Sequence, residues 1–570
     1  MKRTPKILLL LVLIAVFITG CEKERQGVSR FYLLPLIETT DIHGYIVSNQ
    51  NGAVHYRMAY IADKANDIRT KEGEFREDRL VLLDGGDLYQ GASVSNLLSG
   101  WPIYVAMDRM GYDAVALGNH DFDWGFENNM VDPDATLPDY GLDGRNYVND
   151  IPVLCANLYK DDRRASCTKD YIIVEKTAVN ATGDPLKVKV GIIGFAVDYA
   201  SSIMATRFTD LGYSIKEDYS IVNDLAAELE SSGRCDATIL LIHGAADAAA
   251  ERLGQDSAID LVLGGHSHAT MSGWASSGIP CLQGGKYNEH YAYADLEFTV
   301  DGNGDISYTG IRNQKIMTVD SGRDLHGHDG ENSKDLDDDI IAVSDNAISA
   351  TSEQLKDVIG YIATDASNLV IEGSGGRATV MSNWMCDILR RIGDADVSFV
   401  NGGGVRTSFP LGGQPRRDIT VANVFEMFPF NNTTYVYKIT YAELLKVFEY
   451  SLTSAGESLF TGMTGIDCRY RGYQVVSLSK NGSVIYKDGK WTGDWSSRTV
   501  ILAVSEFLAT SQRTDSYTGL DNPLPEWNGT SRLLSNGLID NENAIRVLRE
   551  EAAASGGNLY IDTVTHFIED

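Results

Sequence analysis

Five of the chain's ten histidines fall in one ordered series of short motifs: Asp41-x-His43, Gly86-Asp87, Gly118-Asn119-His120-Asp121, His243 and Gly265-His266-Ser267-His268. Histidine, aspartate and asparagine together are metal-ligand chemistry. Imidazole suits zinc, iron, nickel or copper, and carboxylate and amide oxygens suit manganese, magnesium or calcium, so a mixed set fits Zn or Mn best. Asp41, His43, Asp87, Asn119, His243, His266 and His268 are too many ligands for one tetrahedral ion. Two divalent ions sharing one carboxylate would use them all. A pair of ions roughly 3.5–4 Å apart activates a bridging water and clamps both oxygens of an in-line phosphoryl displacement, so phosphoester hydrolysis is the reaction expected.

Residues scattered over more than two hundred positions need a scaffold that gathers them. The runs Leu33–Leu36, Val81–Leu83, Val115–Leu117, Ile239–Ile242 and Leu261–Leu263 precede the motifs, and each reads as a short buried strand. In an open α/β sheet the carboxyl ends of parallel strands share one edge, which places ligands from separate strands in one crevice. A lone histidine or aspartate at a strand end is more often a surface or capping group. The ordered series outweighs that reading, although His243, in the short context Leu241-Ile242-His243-Gly244, could equally pack at a strand end. Asp84 reads as a turn or supporting residue and Asp121 as weaker than Asp123. His55, His290, His326, His328 and His566 match no motif.

Taken in order, Thr40-Asp41-Ile42-His43-Gly44, Gly85-Gly86-Asp87, Gly118-Asn119-His120-Asp121-Phe122-Asp123 and Gly265-His266-Ser267-His268 resemble the calcineurin-like dinuclear metallophosphoesterases, in particular the bacterial 5′-nucleotidase/UDP-sugar hydrolase type. The resemblance implies an α/β fold: an N-terminal αββα sandwich domain followed by a C-terminal α/β substrate-binding domain. It implies one ion on Asp41, His43, Asp87 and His268 and another on Asp87, Asn119, His243 and His266, with Asp87 as bridge. It also implies a catalytic dyad of His120 and Asp123. A carboxylate beside an imidazole fixes its tautomer and favours its charged form, which suits stabilising phosphoryl oxygens or protonating a leaving group.

The amino terminus bears on location. Lys2, Arg3 and Lys6 precede an apolar stretch from Ile7 to Ile18, and Ile18-Thr19-Gly20-Cys21 resembles a bacterial lipobox. The stretch is short against the roughly 20 residues of a membrane span. Residues 1–20 are therefore expected to be a signal peptide, with Cys21 lipidated and the body exported, in the periplasm or at the cell surface, touching membrane only through that anchor. The chain carries a formal charge of −30, or −33 without residues 1–20. Such a surface repels polyanions and argues against a nucleic-acid partner; no protein partner is implied. Six cysteines remain after Cys21, and Cys155 and Cys167 are the pair expected to bridge if any does.

A body this long exceeds one core. The catalytic domain is expected over 29–325, a linker and connecting helix over 326–361, and the substrate-binding domain over 362–570. The helix is expected from Ile340 to about Ile359, capped by Asp337-Asp338-Asp339. Asp301-Gly302-Asn303-Gly304-Asp305 begins like a calcium loop but has Arg312 at its twelfth position, and reads as a hairpin turn.

In the second domain Val397-Ser398-Phe399-Val400 runs into Asn401-Gly402-Gly403-Gly404-Val405-Arg406, an apolar strand entering a Gly-rich turn. Such a turn alone is often an ordinary tight connection. The hexapeptide resembles the nucleotide-pocket motif of the 5′-nucleotidase carboxyl-terminal domain, which makes Asn401 and Arg406 substrate contacts. Arg377, before Met381-Ser382-Asn383, resembles the family's second phosphate-binding arginine; a guanidinium fork matches phosphate bidentately at any relevant pH. Phe430 and Phe507 resemble the aromatic pair that sandwiches a nucleobase, although a phenylalanine in an apolar segment is usually core. Asp515 would reach a ribose hydroxyl, but Arg513-Thr514-Asp515-Ser516-Tyr517 lacks the glycines the family has there, which leaves base and sugar preference open. The function expected is release of phosphate from 5′-nucleotides. The alternatives are a 2′,3′-cyclic nucleotide phosphodiesterase or UDP-sugar hydrolase on the same scaffold, or a nucleotide-binding surface lipoprotein without turnover.

Overall fold

The computed structural model describes residues 31–50, 53–71, 73–122, 136–137, 147–148, 150–197, 212–319, 336–363, 370–371, 379–407, 409–410, 416–430, 432–457, 460, 462–528, 530–561 and 566–570. Cys21, Asp123 and Arg377 lie outside the described residues.

Each apolar run forms a strand. Leu33–Leu36 lies in Phe31–Thr39, Val81–Leu83 in Val81–Asp84, Ile239–Ile242 in Ala237–His243, and Leu261–Leu263 is a strand as it stands. Val115 lies in Ala114–Ala116, with Leu117 just beyond its end. Every residue of Ala237–His243 is buried, which is why that run shows no polar alternation.

These strands are hydrogen-bonded in one continuous twelve-stranded series that doubles over into two facing sheets. Val153–Leu154, Ala114–Ala116, Val81–Asp84, Phe31–Thr39, His290–Val300 and Ile306–Thr318 form the first. Tyr171–Asn180, Pro185–Ala196, Ala237–His243, Leu261–Leu263, Pro280–Gly284 and Thr270–Trp274 form the second, joined to the first where Tyr32 pairs with Asn180. Leu34, Leu36 and Leu83 of the first sheet share one core with Val190, Ile239 and Leu263 of the second. Helices Arg57–Arg69, Trp101–Met110 and Asp338–Lys356 cover the outer face of the first sheet, and Ser220–Ser231 and Ala246–Leu253 that of the second. The result is four layers, helix, sheet, sheet, helix. Each sheet contains a parallel set: Leu36 pairs with Val81 and Leu83 with Ala114, while Ile239 pairs with Leu261 and Val262 with Cys281. Motifs from both sets can therefore meet across the rim of the sandwich.

The expected hairpin turn stands: Asp301 N–H donates to the Asp305 carbonyl between two paired antiparallel strands. The helix expected to Ile359 ends at Lys356, because Val358–Ala363 pairs as a strand with Arg416–Thr420. The Asp337 carboxylate caps that helix by accepting from Ile340 N–H at 3.0 Å, and it also accepts from Asn66 Nδ2 at 2.9 Å. The cysteine pair is corrected. All six described cysteines are free thiols, and Cys155 is buried with its Sγ donating to Asn157 Oδ1. Spacing in sequence permitted a bridge, but the fold gives Cys155 a different partner. No described helix is long and apolar enough to cross a membrane.

In the carboxyl-terminal half, Gly462–Thr464, Val397–Val400, Thr499–Ser505, Thr433–Thr440 and Leu533–Ile539 make a five-stranded sheet. Helices Val380–Ile392, Val421–Met427 and Asp540–Ser555 pack on one side of it, and Tyr441–Ser451 and Glu506–Thr510 on the other. This second α/β unit presents the Asn401–Arg406 turn at the end of a fully buried strand.

Candidate metal centre and facing cleft

Backbone strain marks the site before any side chain is considered. Asp41, His43, Asp87, His266 and His268 all have positive φ, between 49° and 68°. Non-glycine residues rarely adopt this left-handed region, at a cost on the order of 1 kcal/mol or more each, and surrounding structure must enforce it. Here it is enforced by backbone bonds: Asp41 N–H to the Gly86 carbonyl and His43 N–H to the Asp87 carbonyl, both at 2.9 Å.

The side chains converge in two groups. Asp41, His43 and His268 form one, with His43 Nε2 3.1 Å from His268 Nε2 and His268 Nε2 3.5 Å from Asp41 Oδ1. Asp87, His243 and His266 form the other, and Asn119 joins it with Oδ1 3.1 Å from His243 Nε2 and 2.9 Å from His266 Nδ1. Asp87 Oδ2 stands between them, 3.7 Å from His43 Nε2 and 3.3 Å from His243 Nε2. Two imidazole nitrogens at hydrogen-bond distance cannot both donate, so this packing of lone pairs and carboxylate oxygens suits cations at its centre.

Supporting bonds fix which atoms face inward. His43 Nδ1 donates to the Gln90 carbonyl at 2.9 Å, and His243 Nδ1 to the Gly85 carbonyl at 2.7 Å. Such bonds set the tautomer and leave Nε2 for a metal. The Asp41 carboxylate accepts from Thr40 Oγ1 and from His266 N–H. Asp84 accepts from Thr39 Oγ1 and Gly86 N–H, and Asp121 from Leu88 and Gly118 N–H, so both brace the turns beneath the ligands.

Three of the four histidines in the two groups are held neutral by their surroundings. Burial pulls His43 and His268 well below the usual histidine range and His266 down to about 4, leaving these rings neutral with lone pairs free to ligate. Burial also opposes charge on His243, but the Asp87 carboxylate outweighs it and holds that ring up at about 10. Burial pushes Asp41 up to about 7, with His243 opposing and Asp87 reinforcing the rise. Glu38, three residues before Asp41, was not singled out from sequence. Burial, then the Asp84 and Asp41 carboxylates, push it well above the usual range.

His120 lies beside both groups. Its N–H donates to Asp87 Oδ1 at 2.8 Å, and its ring centroid is 5.4 Å from that of His43. Its other face is covered from the carboxyl-terminal half by Phe430, stacked at 4.9 Å. Arg406 lies over the far face of the cleft, its guanidinium 5.0 Å from the Phe430 centroid, with Nε donating to the Gly403 carbonyl. Asn401 is buried and its Oδ1 accepts from Ser505 Oγ. Phe507 packs in the core of the carboxyl-terminal half, apart from the Phe430 stack. The Asp515 carboxylate accepts from the N–H groups of Ala455, Tyr517 and Thr518 and from Thr518 Oγ1, so it knits its own loop and ties it to Ser454–Glu457.

The two halves meet in a narrow cleft lined by His43, Tyr45, Tyr287, Arg406, Glu426 and Phe430, among others. Gln90 Nε2 and Asn96 Nδ2 both donate to the Pro429 carbonyl across it. Tyr45, Tyr287, Gln90 and Glu426 escaped the sequence reading. The available signal for Tyr287 was its place just after the buried strand Pro280–Gly284, whose carboxyl end lies on the same rim as the metal motifs.

Comparison with known proteins agrees with this architecture. Residues 34–270 match the calcineurin-like phosphoesterase family model, and residues 358–491 match that of the 5′-nucleotidase carboxyl-terminal domain. The chain is 24% identical to Protein UshA of Escherichia coli (strain K12), over 86% of this chain and 87% of that one. It is 22% identical to a 5′-nucleotidase of Vibrio parahaemolyticus, over 83% and 85%. Among solved structures, a 5′-nucleotidase precursor from Thermus thermophilus superposes with a TM-score of 0.65 at 19% identity, covering 94% of this chain and 99% of that one.

Proposed function

The chain belongs to the calcineurin-like phosphoesterases that carry a 5′-nucleotidase carboxyl-terminal domain, and from that premise we propose that it is an exported, metal-dependent phosphohydrolase releasing phosphate from 5′-nucleotides. The observation that carries the reading is Asp87 Oδ2 standing within 3.7 Å of both histidine groups while Arg406 of the other half faces the same cleft.

Asp41, His43, Asp87 and His268 would hold one divalent ion, and Asp87, Asn119, His243 and His266 the other. Bound there, a pair of divalent ions supplies Lewis-acid polarisation of the phosphoryl group and activation of a water. The residues do the rest. Arg406, with Arg377, grips phosphate oxygens through a guanidinium fork that needs no proton adjustment. His120, beside Asp87, carries a proton at its ring toward the phosphoryl oxygens or the leaving group, with Asp123 as the orienting carboxylate. Phe430 offers a face to a base, and Asn401 a polar contact to the nucleotide, while Phe507, expected as the second face, packs in the core. Zn or Mn is the expected metal pair.

Export rests on residues 1–20 as a signal and Cys21 as the lipidation site. A cyclic diesterase or UDP-sugar hydrolase is the second reading. It draws on the Asp515 carboxylate, whose oxygens accept from Ala455 and from its own loop rather than standing open to a ribose. The test is product analysis of the purified protein acting on AMP, UDP-glucose and 2′,3′-cyclic AMP with Mn, Zn or EDTA, following phosphate from AMP, UMP and sugar phosphate from UDP-glucose, and nucleoside monophosphate from the cyclic substrate. Metal-dependent release from AMP that His120→Ala abolishes supports the nucleotidase. Turnover of only the cyclic or sugar substrate moves the function to the second reading, and turnover of none refutes both.

A further inference from the structure

Tyr287 sits where the metal groups meet the carboxyl-terminal half. Its ring lies 5.7 Å from the centroid of His43, 5.7 Å from that of His268 and 4.4 Å from that of Tyr45. Its main chain is tied at both ends: its N–H donates to the Asp41 carbonyl at 2.9 Å, and its carbonyl accepts from Arg57 Nη1 at 3.3 Å. It is held at a φ of +55°, and its neighbour Asn288 at +54°. A tyrosine kept in the left-handed region by a set of specific bonds is a strained residue, and such strain gathers at working sites. From this fixed ring the hydroxyl accepts a hydrogen bond from Arg406 Nη1 at 3.2 Å, across the cleft.

We propose that Tyr287 is a positioning residue that holds the Arg406 guanidinium over the metal centre before substrate arrives, so that the phosphate meets a preset fork. The inference rests on the phosphohydrolase reading above and extends it to a residue that belongs to none of the motifs. Arginine has five N–H donors. The contacts to Gly403 and Tyr287 engage two of them, and the stack on Phe430 fixes the plane. Donors remain for an oxyanion, and the rotamer freedom that a long side chain would lose on binding is already restricted. The hydroxyl accepts from Arg406 and keeps its own proton, so a phosphate drawn in by the guanidinium finds no unpaired acceptor opposing it.

Tyr287→Phe keeps the three ring contacts and removes only the hydroxyl. Inorganic phosphate binding to the Mn-loaded protein, followed by calorimetry, is expected to weaken about tenfold, the worth of one hydrogen bond to a charged group. KM for AMP is expected to rise by a similar factor with kcat within about twofold, and both Mn ions are expected to stay bound. Arg406→Ala is expected to weaken phosphate further, and the double variant Tyr287→Phe/Arg406→Ala to be no weaker than Arg406→Ala alone, because the hydroxyl acts through the guanidinium. Unchanged phosphate affinity in Tyr287→Phe, additive losses in the double variant, or loss of metal in Tyr287→Phe would each overturn the proposal. Wild-type protein that binds phosphate but does not turn over AMP would refute the nucleotidase reading instead, and the phosphate titrations would still decide the role of Tyr287.

Discussion

Asp87 carries the side chain that joins the two groups: Oδ2 faces both sets of histidines and Oδ1 accepts the N–H of His120. Its loss should therefore be unlike that of a terminal ligand. Asp87→Ala is expected to bind neither ion tightly, whereas His268→Ala should retain the ion of the other group. Metal content after dialysis distinguishes the two, and activity should fall on the order of a hundredfold or more in each case. A second residue-scale expectation concerns acid. The N–H of Thr518, then that of Ala455, hold the Asp515 carboxyl below the usual range. A folded-state pKa that is depressed adds stability fully present above the unfolded value, about 3.9, and lost as pH falls through the lower folded value. Asp515→Asn should thus be less stable than wild type at neutral pH, and the gap in denaturant midpoint should close below about pH 4. A gap that stays constant with pH would deny the carboxylate that role.

Turns at strand ends set the geometry, and glycine is demanded there by close approach rather than by strain alone. A Cβ on Gly118 would lie 2.1 Å from Asp87 N and 2.3 Å from Asp87 Oδ1, backbone and ligand atoms with nowhere to go. Gly118→Ala should displace Asp87, destabilise the protein by about 1–3 kcal/mol and release metal, measurable as a lowered unfolding midpoint together with lost Mn. This level was the most legible in sequence. The runs around Leu82, Leu240 and Val262 are apolar and short because both of their faces are buried, and the polar motifs follow directly at their ends. Their division between two facing sheets was legible only through the family resemblance, since a strand buried on both faces looks the same in either. Tyr287 was hidden because Lys286-Tyr287-Asn288 resembles any polar turn; only its position on the shared rim gives it meaning. Cys155 and Cys167 misled for the converse reason: nearness in sequence said nothing of the Asn157 amide that receives the Cys155 thiol.

Across the whole molecule, the two halves are drawn together over His120. Phe430 stacks on His120, and Gln90 and Asn96 bind the Pro429 carbonyl next to it. The cleft that remains has room for little more than a water-sized group, far less than the roughly 300–1,000 Å³ of pockets that enclose small ligands. A nucleotide must therefore shift Phe430 off His120 as it enters, and the aromatic face released is then available to the base. Phe430→Ala should raise KM for AMP about tenfold, within the roughly 1–3 kcal/mol of a base stack, while inhibition by inorganic phosphate changes little; equal effects on both would show that Phe430 does not meet the base. The net charge of −30 gives the molecule no general attraction for phosphates, so the proposed function requires binding to depend on the ion pair and on Arg406 at this junction. The most direct test is anomalous diffraction from crystals of the Mn-loaded protein with phosphate bound. The account predicts two peaks roughly 3.5–4 Å apart on either side of Asp87 Oδ2, with phosphate between them and Arg406. A single peak, ions on other residues, or phosphate bound away from that pair would contradict it.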